Sequence, residues 1–107
     1  MKKLFLNIFG TSIFLIFSSL TQVNADELFN KGKEVFLESG NCAACHMLTD
    51  AGSNAMVGPN LNEIRPDIQR IIMAVRNGIG VMPAMEGILT DEEIEAVAHY
   101  TSIAAEQ

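Results

Sequence analysis

The chain has only two cysteines, and they stand two residues apart with a histidine directly behind them, in Cys42-Ala43-Ala44-Cys45-His46. A disulfide between them would close a two-residue loop and restrain little of the unfolded chain. A thioredoxin-type redox pair needs a βαβ pattern, and no strand-like alternation runs through this sequence. Zinc needs two further ligands, and His99 is the only other histidine. Thiols at i and i+3 can instead each add to one vinyl group of a haem while the adjacent imidazole reaches the iron, the spacing of c-type haem attachment. The pattern therefore predicts a chain that wraps a covalently held prosthetic group.

The size of the domain agrees with that need for a filler. Of the 107 residues, the first 25 are of a different kind: Lys2 and Lys3 precede Leu4 to Leu20, in which 11 of 17 residues are Leu, Ile or Phe. Val23-Asn24-Ala25 then puts small or short residues before Asp26, so residues 1–25 read as a secretory signal peptide cleaved after Ala25. An uncleaved anchor is the alternative, the apolar run lying near the short end of what spans a bilayer. The remaining domain, residues 26–107, keeps only Phe29, Phe36 and Tyr100 as aromatics. Domains this small bury only about 60 % of their unfolded surface and commonly need a staple.

Charge limits the partners. The formal net charge is −6; removing Lys2 and Lys3 leaves 5 basic against 13 acidic residues, a formal −8 for residues 26–107. A nucleic-acid surface is excluded on that balance, whereas basic patches on other proteins suit it.

Periodicity predicts an all-α domain. Asp26 to Ser39 places Leu28, Phe29, Gly32, Val35 and Phe36 on one side, with Glu27 and Lys31 as an i,i+4 pair, and Gly40-Asn41 stops the helix just before the cysteines. Met47 to Pro66, with Gly52-Ser53-Asn54 and Gly58-Pro59-Asn60, reads as a folded loop holding one short helical turn. Asp67 to Asn77 is a helix with Ile68, Ile71, Ile72 and Val75 at i, i+3, i+4 and i+7. Gly78 to Leu89 is too broken for a helix and apolar enough to lie against a greasy surface. Thr90 and Glu93 form a capping box for a last helix, Asp91 to Ala105, with Ile94, Val97, Ala98 and Thr101 inward.

Iron held by His46 needs a ligand on its other side. The candidates are Met47, Met56, Met73, Met82, Met85 and His99. Met47 adjoins His46 and cannot cross the ring, Met73 lies within a helix, and His99 shares a face with Glu92, Glu95, Ser102 and Glu106. Met82 and Met85 lie in the apolar loop between the last two helices, where a thioether can be brought over iron.

The chain resembles the class I c-type cytochromes, most nearly the cytochrome c6 / c553 group. The likeness runs through Lys33 to Phe36, Cys42 to His46, Asn77-Gly78 to Met82-Pro83-Ala84, Leu89-Thr90-Asp91-Glu92-Glu93-Ile94 and Val97-Ala98-His99-Tyr100. It implies three to four helices wrapped around one covalent haem c, bound by Cys42 and Cys45. It also implies His46 and Met82 as axial ligands, a Pro59 carbonyl orienting the His46 ring, and crossing first and last helices, with Gly32 as the close approach facing Phe36 and Tyr100. Ala74 and Met85 stand where many of that group carry Gln and Phe. The resemblance implies a monomeric, non-enzymatic electron shuttle, meeting membrane-bound redox complexes or other electron-transfer proteins in transient contacts. Its expected compartment is the periplasm, with the thylakoid lumen as alternative. The competing readings are a haem-bearing relay subunit of an oxidase or dehydrogenase complex and a ligand-binding haem sensor.

Overall fold

The computed structural model describes residue 10 and residues 24–107; most of the expected signal segment lies outside the described residues. Four α-helices follow in order: α1 (Ala25–Leu37), α2 (Leu61–Ile64), α3 (Ile68–Asn77) and α4 (Asp91–Ala104). Two one-turn 3-10 helices, Cys42–Ala44 and Thr49–Ala51, lie between α1 and α2. The described residues form no sheet; three isolated bridges, such as Leu48 with Ser53, pin loops. The architecture is all-α.

Each α-helix starts on a side-chain cap. Asn24 Oδ1 accepts the Glu27 N–H of α1 at 2.8 Å, and Asp67 Oδ1 accepts the Arg70 N–H of α3 at 3.0 Å. These bonds satisfy amides that have no partner inside the helix. The capping box at α4 forms in both directions, Glu93 N–H to Thr90 Oγ1 and Thr90 N–H to Glu93 Oε1, each 3.1 Å. α1 ends two residues earlier than its periodicity predicts, because Glu38 leaves helical backbone and the Gly40 N–H closes on the Val35 carbonyl at 2.7 Å. Lys31 pairs with Glu34, 3.9 Å away, rather than with Glu27.

α1 and α4 cross at Gly32. A Cβ there would overlap the Ala96 carbonyl and the Tyr100 Cβ, so only glycine lets the two backbones meet this closely. That contact accounts for a residue that costs a helix interior about 1 kcal/mol relative to alanine. Phe36 is not opposite Gly32; it lies one turn on along α1, and with Phe29 it grips the Tyr100 ring edge-on, at 5.8 and 4.8 Å between centroids. Val35, Phe36, Leu48, Ile94, Val97 and Tyr100 are the largest fully buried side chains.

The segment between the cysteines and α3 is more ordered than its Gly, Ser and Asn content suggests. It holds two helical turns, not one, because Asn62 ties them together. Its Oδ1 accepts from the N–H and hydroxyl of Thr49, and its Nδ2 donates to the Ala105 and Gln107 carbonyls beyond α4. In α3, Ile71 and Val75 are buried and Ile72 is half-buried, while Ile68 at the first turn is exposed.

Candidate haem site

Asn41, in the left-handed region at φ 49°, turns the chain out of α1 and into the 3-10 turn of the cysteines. The N–H groups of Cys45 and His46 both donate to the Cys42 carbonyl, at 3.1 and 3.0 Å, winding the two thiols and the imidazole around one turn. Both thiols are free; Cys42 is half-buried against the core and Cys45 is exposed. Before attachment, burial pushes the Cys42 thiol up to about 11, with a backbone hydrogen bond opposing the rise and Cys45 adding to it.

His46 is held from its far side. Its Nδ1 lies 2.9 Å from the Pro59 carbonyl oxygen. A carbonyl only accepts, so Nδ1 carries a proton, and Nε2 is the ring nitrogen left to face a metal. The Pro59 carbonyl is brought there by the Gly58 N–H donating to the Cys45 carbonyl at 2.7 Å and the Leu61 N–H donating to the Met47 carbonyl at 3.0 Å. Gly58 itself is a cradle: a Cβ there would lie 2.5 Å from His46 Cε1 and 2.8 Å from Nδ1. Asn60, the N-cap of α2, sends its Nδ2 to the Met47 sulfur at 3.1 Å, which engages that thioether within the segment.

The loop after α3 is hung from that helix's last carbonyls, which a helix end leaves unpaired. The N–H groups of Gly78, Met85 and Glu86 donate to the carbonyls of Ala74, Val75 and Arg76, at 2.8, 2.8 and 3.5 Å. Gly78 has φ 71°, and a Cβ on it would strike the Met82 carbonyl and the Ala84 amide. Ile79 and Met82 exchange backbone hydrogen bonds of 3.1 and 2.9 Å. These tight turns send side chains both ways. Met82 and Met85 turn in and pack on the core, whereas Val81 is 92 % exposed and Ile79 and Ile88 about two-thirds exposed.

The other candidates are placed elsewhere. Met56 and Met73 are exposed. His99 is not on a fully solvated face: it is half-buried, and its Nε2 is shielded without a hydrogen-bond partner. The structure brings Cys42, Cys45, His46 and Pro59 into one local assembly and sets Met82 and Met85 on a separate, anchored loop. Sequence reasoning passed over Gly58, Asn60 and Asp50. Gly58 carried only a turn signal, and the partners of Asp50, Tyr100 at 2.7 Å and Lys33 at 3.2 Å, are distant along the chain.

A family model described as cytochrome c oxidase, cbb3-type, subunit III matches residues 27–100. Cytochrome c6 of Thermosynechococcus vestitus is 38 % identical over 108 residues, covering 94 % of this chain and 90 % of that protein. Cytochrome c6 of Porphyra purpurea is 36 % identical over 109 residues, covering 94 % and 92 %. The crystal structure of the c-type cytochrome SorU from Sinorhizobium meliloti superposes with a TM-score of 0.71 at 56 % identity, covering 75 % of this chain and 93 % of that one. The chain belongs to the class I c-type cytochromes, in the c6 group. It carries one covalently bound haem c and serves as a single-haem electron carrier. The residues fit the group: paired free thiols, a tautomer-fixed imidazole in a cradle that only glycine leaves open, and inward thioethers on an anchored loop.

Proposed function

We propose that this protein is a periplasmic one-electron shuttle in which His46 Nε2 and Met82 Sδ are the axial ligands and Cys42 and Cys45 hold the haem by thioether bonds. The bound haem supplies the reversible one-electron change of its iron. The protein fixes the ligand field around it. The observation that carries this reading is the 2.9 Å contact of His46 Nδ1 with the Pro59 carbonyl, which sets the tautomer and strengthens the ring as a donor through Nε2. A thioether opposite it favours the ferrous state and raises the potential. With His46 and Met82 both holding the iron, the bound haem would offer substrate no open site, which supports electron transfer without turnover.

The proposed signal peptide, residues 1–25, ends inside the first turn of α1, so cleavage before Asp26 removes the Asn24 cap along with it. Partners are proposed to be membrane-bound redox complexes or other electron-transfer proteins that present basic patches. The formal −8 of residues 26–107 supports this, as do the exposed apolar side chains Ile79, Val81 and Ile88 on the segment that carries Met82. Acidic charge with exposed apolar side chains suits brief, small, salt-sensitive contacts. The description of the matching family model favours a second reading, a relay subunit of an oxidase. Near-complete coverage of the cytochrome c6 relatives and of SorU favours the free shuttle.

The test is the visible spectrum of the purified protein, oxidised and reduced, repeated on Met82→Ala. The weak far-red band of thioether-ligated ferric haem is expected in the parent and lost in the variant. Its survival would assign the ligand to Met85, and a protein without haem would overturn the reading. Carbon monoxide binding to the reduced parent at neutral pH would favour a sensor. A purified, free monomer beginning at Asp26 would separate the shuttle from the relay subunit.

A further inference from the structure

The Met82 loop leaves α3 after Asn77 and rejoins the helices at Asp91, so its two feet are the end of α3 and the start of α4. One side chain spans both feet. Arg76 Nη1 donates to Asp91 Oδ1 at 2.8 Å, and the same nitrogen lies 3.9 Å from Glu86 Oε1 inside the loop. The Arg76 carbonyl meanwhile accepts the Glu86 N–H at 3.5 Å, and the neighbouring Val75 carbonyl accepts that of Met85 at 2.8 Å. We propose that Arg76 is a positioning residue for the axial thioether: it staples the feet of the loop and slows the local opening that would carry Met82 away from iron. This rests on the assignment of Met82 as ligand.

The physical case lies in where the pair acts, not in how strong it is. Exposed ion pairs contribute little to global unfolding. A loop, however, opens by itself at far lower cost than the whole domain, so a weak bond across its feet is a sizeable part of that smaller barrier. Arg76 is suited to the task because its planar guanidinium can meet two carboxylates from different elements at once. Glu95, one turn into α4, faces the same cation.

The experiment uses the haem-loaded ferric protein and follows the rate at which added imidazole replaces the native thioether band. Arg76→Gln is expected to raise that rate about threefold, and Asp91→Asn, which removes the same bond from the other side, by a similar factor. The double variant should go no further. Lys31→Gln, which breaks the separate Lys31 and Glu34 pair on α1, should leave the rate unchanged. High salt should speed the parent and not Arg76→Gln. Amide exchange at Met85 and Glu86 should quicken with the imidazole rate in Arg76→Gln, while core amides of α1 and α4 hold. A thioether band in the parent with unchanged imidazole and exchange rates in both single variants would overturn the role of Arg76 alone. A parent without the band would overturn the Met82 assignment and, with it, the positioning role, even if exchange at Met85 quickened.

Discussion

Replacing Gly58 by alanine tests the proximal half of the site with one methyl group. The backbone of Gly58 is outside the left-handed region, so alanine is accepted there without conformational strain. The new Cβ, however, would fall 2.5 Å from His46 Cε1, 2.8 Å from Nδ1 and 3.1 Å from Nε2, about 1 Å inside carbon–carbon contact at the closest atom. Gly58 is held by its own N–H to the Cys45 carbonyl, so the imidazole has to move and its bond to the Pro59 carbonyl is lost. Such a bond is worth about 1 kcal/mol. While it is made, it raises the donor strength of Nε2 and so favours ferric iron. Its loss therefore raises the midpoint potential, by on the order of 40 mV if the whole bond is expressed, given 59 mV per tenfold for one electron. Redox titration of parent and variant measures this. Gly52→Ala is the control, since its Cβ meets nothing within 4 Å while its φ of 66° strains any other residue. It should cost about 1 kcal/mol of stability and leave the potential where it was. A Gly58→Ala protein with unchanged or lowered potential would overturn this account of the proximal cradle.

Other outcomes follow from the same packing. Gly32→Ala gains about 1 kcal/mol of intrinsic helix preference but drives a methyl into the Ala96 carbonyl, which is backbone and cannot rotate away. Denaturant unfolding should show a net loss on the order of 2 kcal/mol, and a more stable variant would contradict the tight crossing of α1 and α4. For pH, hydrogen bonding from Tyr100 and then Lys33 holds Asp50 below its ordinary 3.8. Its contribution is present above that value and is lost as pH falls through the lowered one. Burial, then Asp50, raises the Tyr100 hydroxyl above 10.0, so its contribution is present below pH 10 and is lost as pH climbs toward the raised value. Thermal melts should fall off on both sides of that window. In Tyr100→Phe the alkaline loss attributable to Tyr100 should vanish; its persistence there would count against the assignment.

Features that rest on local signals are legible in the chain alone. Asp67, Thr90 and Glu93 cap helices through bonds to amides three residues away, so spacing along the chain is enough to place α3 and α4. Gly58 and Asn60 are legible only as turn residues, because nothing near them in sequence says that an imidazole 12 positions earlier must fit against Gly58. The loop at Gly78 to Leu89 is legible as apolar, but not in which of its side chains face the core. Apart from Glu86 its residues are glycine, proline or apolar, and its hydrogen bonds to the end of α3 decide that Met82 and Met85 face in while Ile79 and Val81 face out.

Chemistry that depends on chain neighbours is therefore written directly in the residues: two thiols and an imidazole on one turn, acidic charge, and helices whose caps and stripes repeat within a few positions. Folding was needed to set the tautomer of His46, through a carbonyl 13 residues away, and to close the Met82 loop by Arg76 across 15 residues. It was needed as well to join Tyr100 to Asp50 across 50 residues. The reason is physical. A helix cap or stripe is satisfied within a turn or two of the chain. A hydrogen bond between distant segments forms only after packing has removed their freedom and brought donor and acceptor together.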